Sequence, residues 1–162
     1  MKFLVTILSF LFLNLQNIDL KVVRNTYKDA SVNKEIARKL YLKLAKITKA
    51  NKIELIAYKG ATIALKGRFS KKIKDKVSYF KEGTTLLEYA IKKSPQNIEI
   101  RLIRLGIQEN TPRLLKYKMN IKEDKQLILQ NFKNIKSSSL KEYIKSYILQ
   151  SKVFTAEEKL VI

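Results

Sequence analysis

Arg101 and Arg104 stand one helical turn apart in the stretch NIEIRLIRLGIQEN, in a chain that otherwise draws its positive charge from lysine: only six of the 34 basic residues are arginine. A planar guanidinium holds a carboxylate through two parallel hydrogen bonds, which an ammonium does not do. The pair is therefore a candidate for gripping an anionic group of an extended peptide, with Tyr58 as a third candidate contact. The competing use is internal pairing with Glu99, Glu88 or Glu109. Carboxylates are the other groups with chemistry to offer, because a paired-acid hydrolase needs only two placed acids. Glu54 and Glu88 are the residues to weigh for that role. The adjacent pairs Glu123 with Asp124 and Glu157 with Glu158 point in different directions on a helix and suit first turns, where the dipole favours negative charge.

Most other chemistries lack their side chains. The chain has no histidine and no cysteine, which removes the usual general base near neutral pH, the commonest metal ligand, the thiolate and the Ser-His-Asp arrangement together. No GxGxxG run and no GxxxxGK run followed by Ser or Thr occurs, so the usual phosphate cradles are missing. No tryptophan offers a flat face for a sugar ring. The expectation is a non-enzymatic protein with no catalytic residues, no metal site and no cofactor, and with the remote alternative of a carboxylate-based hydrolase. Without disulfides the body rests on packing alone.

The formal charge is +20, enough to draw the protein toward anionic surfaces in a salt-dependent way. A bias toward lysine in the composition accounts for the same charge. The densest patch is Lys66, Arg68, Lys71, Lys72, Lys74 and Lys76, with Phe69 among them. It could meet phosphates, but no DNA- or RNA-binding module surrounds it. Nucleic acid is not the expected partner; an anionic membrane or polysaccharide is the second one considered.

The elements that must position these groups begin with residues 3–13, FLVTILSFLFL, after the single Lys2. As a helix, this run would span roughly 16 Å, about half the ~30 Å hydrocarbon layer. It reads as an export signal. Residues 1–16 are assigned to a signal peptide, or to a short leader that stays attached because no small-x-small cleavage site follows, and residues 17–162 to a single helical domain. The expected location is the periplasm or the envelope.

Apolar residues then recur at three- and four-residue spacing without strand-like alternation. Asp19 caps a helix through Leu20, Val23 and Tyr27. Ser31 caps a second, with Val32, Ile36, Leu40, Leu44 and Ile47 inward and Lys39, Lys43 and Lys46 on the solvated side. Asn51 caps a third, ending near Lys66, whose face is built from Ala57, Gly60, Ala61 and Ala64, so Gly60 implies a close helix crossing. Ser70 opens a longer helix with Ile73, Val77, Phe80, Leu87 and Ile91 inward, closing at Pro95. The stretch from Gln96 to Glu109 is apolar around most of its circumference and is the expected centre of the core. Pro112 starts a short turn, residues 121–134 and the stripe Leu140, Tyr143, Ile144, Tyr147, Ile148 follow, and Thr155 with Glu158 makes a capping box before an apolar terminus expected to dock.

Ala90, five positions before the helix-ending Pro95, with Asn97 after it and Gly83 and Leu87 before it, resembles the second helix of a tetratricopeptide repeat. The resemblance covers about residues 53–97 and implies antiparallel helix pairs stacked side by side. YKGA at Tyr58 to Ala61, together with RLIRLGIQENTP and KEDKQLILQNF, resembles small exported helical proteins of Gram-negative bacteria with no assigned activity, which implies compartment and fold. The expected architecture is all-α: stacked antiparallel helices, either a right-handed superhelix like the tetratricopeptide repeats or a compact helical array. The expected role is a binding or scaffold module for a protein or peptide of the envelope.

Overall fold

The structure, a computed structural model, describes residues 18–162. They form eight α-helices: α1 (Leu20–Ala30), α2 (Lys34–Leu44), α3 (Ile53–Phe69), α4 (Ile73–Lys93), α5 (Ile98–Asn110), α6 (Ile121–Asn131), α7 (Ser138–Gln150) and α8 (Ala156–Leu160). Short 3-10 turns occupy Arg113–Leu115 and Phe132–Asn134. The described residues contain no strand and are all-α, as the periodicity of the sequence requires. The leader assigned to residues 1–16 lies outside the described residues. Among those described, no helix is long and apolar enough to cross a membrane.

Side-chain caps set several of the helix starts. Asp19 accepts from the Lys21 N–H, Asn33 from Glu35 and Ile36, Asn97 from Glu99 and Ile100, and Ser137 from Leu140. Thr155 and Glu158 cap each other reciprocally at α8. Each such cap is worth about 1 kcal/mol. Three expected caps are corrected. Ser31 closes α1 instead, its hydroxyl donating to the Lys28 carbonyl; Asn51 accepts from the Thr48 N–H in the preceding turn; and Ser70 closes α3, which runs three residues beyond Lys66. Gly67, expected in a connection, is thus buried inside α3.

The tightest crossing is between α3 and α4. A Cβ placed on Gly60 would lie 2.5 Å from the Gly83 carbonyl oxygen, and one on Gly83 would collide with the Gly60 carbonyl in return. Only two glycines facing one another allow the backbones to come this close. The rest of α3 from Leu55 through Leu65 is also buried, except the half-buried Lys59.

Packing divides into two hydrophobic clusters, and α5 serves both. Ile100, Ile103 and Ile107 face the larger one, built with α1 to α4, while Leu102 and Leu105 face a second built with Ile128, Phe132, Ile144, Ile148 and Phe154. A helix apolar on two faces is what a central element needs. Several apolar residues lie outside the core: Val32, Ile73, Leu160 and Val161 are exposed, which corrects the inward placement expected of the first two and leaves Ile162 as the terminal residue that packs on the second cluster.

Candidate functional site

Tyr58, Arg101 and Arg104, the candidate peptide contacts, are buried in the interior. Tyr58 has no exposed surface, and its hydroxyl donates to Glu99 Oε1 at 2.9 Å. The same carboxylate is held by the Arg24 guanidinium, Nε to Oε1 and Nη2 to Oε2, both at 2.9 Å. Burial, with Tyr143 and Glu99 nearby, pushes the Tyr58 hydroxyl well above the ordinary tyrosine range. Arg101 and Arg104 close on Asp124 from α6. Arg104 reaches Oδ2 through Nε at 2.7 Å and Oδ1 through Nη2 at 2.6 Å, and Arg101 Nη1 reaches Oδ1 at 2.9 Å. Glu123 and Glu88 complete the arginine shells from the surface side. Hydrogen bonds from Arg101 and Asn120 hold the Glu123 carboxyl below the ordinary range.

The role expected for these three side chains is therefore revised. Almost without exposed surface and hydrogen-bonded to internal partners, these groups tie α1, α3, α5 and α6 together. Of the internal partners anticipated for the two arginines, Glu88 is used, while Glu99 goes to Arg24 and Glu109 elsewhere. Glu88 also accepts from the Tyr117 hydroxyl, and Glu54 accepts from the Asn97 amide. The two acids weighed for a hydrolase, Glu54 and Glu88, thus have separate hydrogen-bond partners.

The basic patch is split. Lys71, Lys72, Lys74 and Lys76 are exposed around the start of α4. The Lys66 ammonium instead sits between two rings, 4.1 Å from the Tyr41 centroid and 4.4 Å from that of Tyr79. Arg68 donates to the Ser31 carbonyl at 3.1 Å, and Phe69 packs on the larger hydrophobic cluster rather than standing free for stacking.

The site that the tertiary structure does create is a cleft of about 810 Å³ where the two clusters meet. This is within the range of roughly 300–1,000 Å³ common for ligand cavities. Its apolar lining comes from Ala61, Ala64 and Leu65 on α3, Phe80 on α4, and Leu102, Ile103 and Ile107 on α5. Gly106 of α5 borders it with open space where a side chain would stand, the nearest atom to a Cβ there being Tyr147 Cε2 at 3.5 Å. Tyr27 lies on one side, edge-on to Tyr58 with centroids 5.4 Å apart, and α7 contributes Tyr143 and Tyr147.

Charge around this cleft is one-sided. Lys28, Arg68, Lys76 and Lys152 line it against a single carboxylate, Glu109. Glu109 is already committed, accepting from the Tyr147 hydroxyl at 2.6 Å, the Ser151 hydroxyl at 2.9 Å and the Lys152 N–H at 2.7 Å. Lys28 donates only to a neutral oxygen, Ser146 Oγ at 3.2 Å, linking α1 to α7. Arg68 and Lys76 stand out in the sequence as part of the basic patch, whereas Lys28, Gly106 with Glu109, and Lys152 come from three further stretches and join them only in space. Arg24 was within reach: it is an arginine on the Val23–Tyr27 side of an amphipathic helix, the same departure from lysine that marks Arg101 and Arg104.

Among the described residues no three acidic, histidine or cysteine side chains cluster as metal ligands would. No family model matches the chain, and neither a curated protein nor a solved structure matches it.

Proposed function

We propose that this protein is an exported, non-enzymatic helical binding module, and that its working surface is the cleft between the two hydrophobic clusters, which accepts an apolar, acidic segment of a partner protein in the cell envelope. One observation carries the reading: four cationic side chains surround an apolar lining whose single carboxylate is fully hydrogen-bonded. Such a site favours groups that combine greasy surface with negative charge. The close Gly60–Gly83 crossing supports the likeness to a tetratricopeptide-type helix pair, a scaffold in which stacked helices commonly present binding surfaces. The apolar leader supports export.

The test compares two charge-reducing variants in binding a fluorescein-labelled heptapeptide of alternating leucine and glutamate. Lys28→Gln with Lys152→Gln lowers the affinity, whereas Lys71→Gln with Lys72→Gln and Lys74→Gln leaves it unchanged. The reverse pattern, or no binding by the wild type at moderate salt, removes the cleft from consideration. Cell fractionation with N-terminal sequencing checks the compartment; an untrimmed product free in the cytosol would count against export.

The exposed lysines at the start of α4 favour a second reading, attachment to an anionic membrane surface. Three of them, Lys71, Lys72 and Lys74, add to the positive end of the helix dipole rather than relieving it, and Ile73 between them is 78% exposed. Retention on phosphatidylglycerol vesicles that weakens steeply with salt supports it; retention indifferent to salt refutes it.

A further inference from the structure

The chain has four glycines, all within helices, and packing accounts for three of them. Gly60 and Gly83 face each other at the α3–α4 crossing, and a Cβ on Gly67 would lie 2.9 Å from the Lys76 carbonyl oxygen. Gly106 is different. A Cβ there would meet nothing closer than Tyr147 Cε2 at 3.5 Å, an ordinary contact. Glycine in mid-helix weakens α5 relative to alanine, and helix packing gives no return for that weakness. What a larger side chain would remove is space in the cleft, which Gly106 lines.

We propose that Gly106 keeps open a subsite for an apolar side chain of an acidic peptide bound in extended form along the cleft. The inference rests on the binding reading above and adds the occupant's form and the residue that sets its fit. Charge complementarity gives the sign: the peptide's carboxylates answer Lys28, Arg68, Lys76 and Lys152. The cleft border gives the polymer class. Asn110 and Gln150 each spend one amide proton within their own helix, on the Gly106 carbonyl at 2.9 Å and Ser146 Oγ at 3.2 Å. Their amide oxygens remain to accept main-chain N–H groups, which a peptide has and a fatty acid lacks.

The experiment titrates the leucine–glutamate heptapeptide into wild type, Gly106→Ala and Gly106→Leu at about 0.15 M salt, where surface charge is screened beyond ~8 Å. Gly106→Leu leaves every charge in place but fills the subsite, so its affinity falls by roughly tenfold or more. Gly106→Ala loses less than about threefold and melts a few degrees higher, because alanine restores helix preference. The Gly106 amide resonance of the wild-type protein moves on peptide addition, a readout that needs no variant. Wild-type protein that binds no peptide defeats the binding reading and this inference with it. Peptide bound equally well by wild type and Gly106→Leu, or a Gly106 resonance unmoved at saturation, defeats the subsite alone. Dodecanoate binding more tightly than the peptide overturns the peptide in favour of an anionic amphiphile.

Discussion

Arg24 and Glu99, 75 positions apart in sequence, meet through two parallel hydrogen bonds of 2.9 Å with both side chains almost wholly removed from solvent. The pair joins α1 to α5, and Tyr58 of α3 donates to the same carboxylate. Removing one partner strands the other in a medium that cannot solvate it.

Glu99→Ala is therefore expected to cost about 3–5 kcal/mol of stability, since it orphans both Arg24 and Tyr58. Arg24→Met combined with Glu99→Met and Tyr58→Phe removes the ion pair with its tyrosine donor and recovers most of that loss, because no buried charge is left unpaired. Urea unfolding of the two proteins checks the order; a triple variant less stable than Glu99→Ala would show that the network itself holds the fold.

Neighbouring acids on α6 should behave in opposite ways. Asp124 has no exposed surface and lies between Arg101 and Arg104, so Asp124→Asn is expected to cost about 3–5 kcal/mol. Glu123 touches the same arginines from a position 54% exposed, so Glu123→Gln is expected to cost less than about 1 kcal/mol. Denaturation midpoints that moved equally for the two would contradict the assignment.

Gly60→Ala and Gly83→Ala each press a methyl group into the facing backbone and are expected to lose about 1–3 kcal/mol. Alanine elsewhere in a helix is stabilising, so the sign alone is diagnostic. Thermal melts of the two single variants decide it, and an unchanged or raised melting temperature would mean that the helices are not in contact there.

Alkaline pH should weaken the fold through tyrosine. Burial raises the hydroxyl pKa of Tyr27, Tyr58, Tyr117 and Tyr147, and that of Tyr143 to about 12. In the unfolded chain tyrosines ionise near ~10. The folded state thus keeps protons that the unfolded state has given up, so the contribution is complete below pH ~10 and is lost as pH rises toward 12. These five are expected to ionise together with the loss of helical circular dichroism. Eight tyrosines titrating near pH 10 in a protein that stayed helical would exclude the effect.

Much of the local structure was legible in the residues. The three- and four-residue spacing dictates helices, the Thr155–Glu158 pair marks the start of α8, and a glycine on the alanine face of α3 signals the close approach to α4. The all-round apolar character of α5 marks it as the central element, and the structure shows the reason: its two faces serve two clusters. Ser31 and Asn51 misled because serine and asparagine stabilise turns as readily as helix starts, and Asn33 and the chain after Thr48 settled those choices. Ile73 misled because its place in an apolar period says nothing about whether a neighbour covers the first turn of α4.

The sequence by itself determined the helical class, the strongly positive surface, and the absence of histidine and cysteine chemistry, since those follow from composition and from spacing within single segments. It also singled out Arg101 and Arg104, though not where their guanidinium groups would be spent. Only the tertiary structure decided that these arginines close on Asp124 inside the protein, while Lys28, Gly106 and Lys152 gather around an open cleft. The physical reason is range. Periodicity records which side of a helix avoids water, whereas the partner of a buried charge and the shape of a cavity depend on packing between helices far apart in the chain.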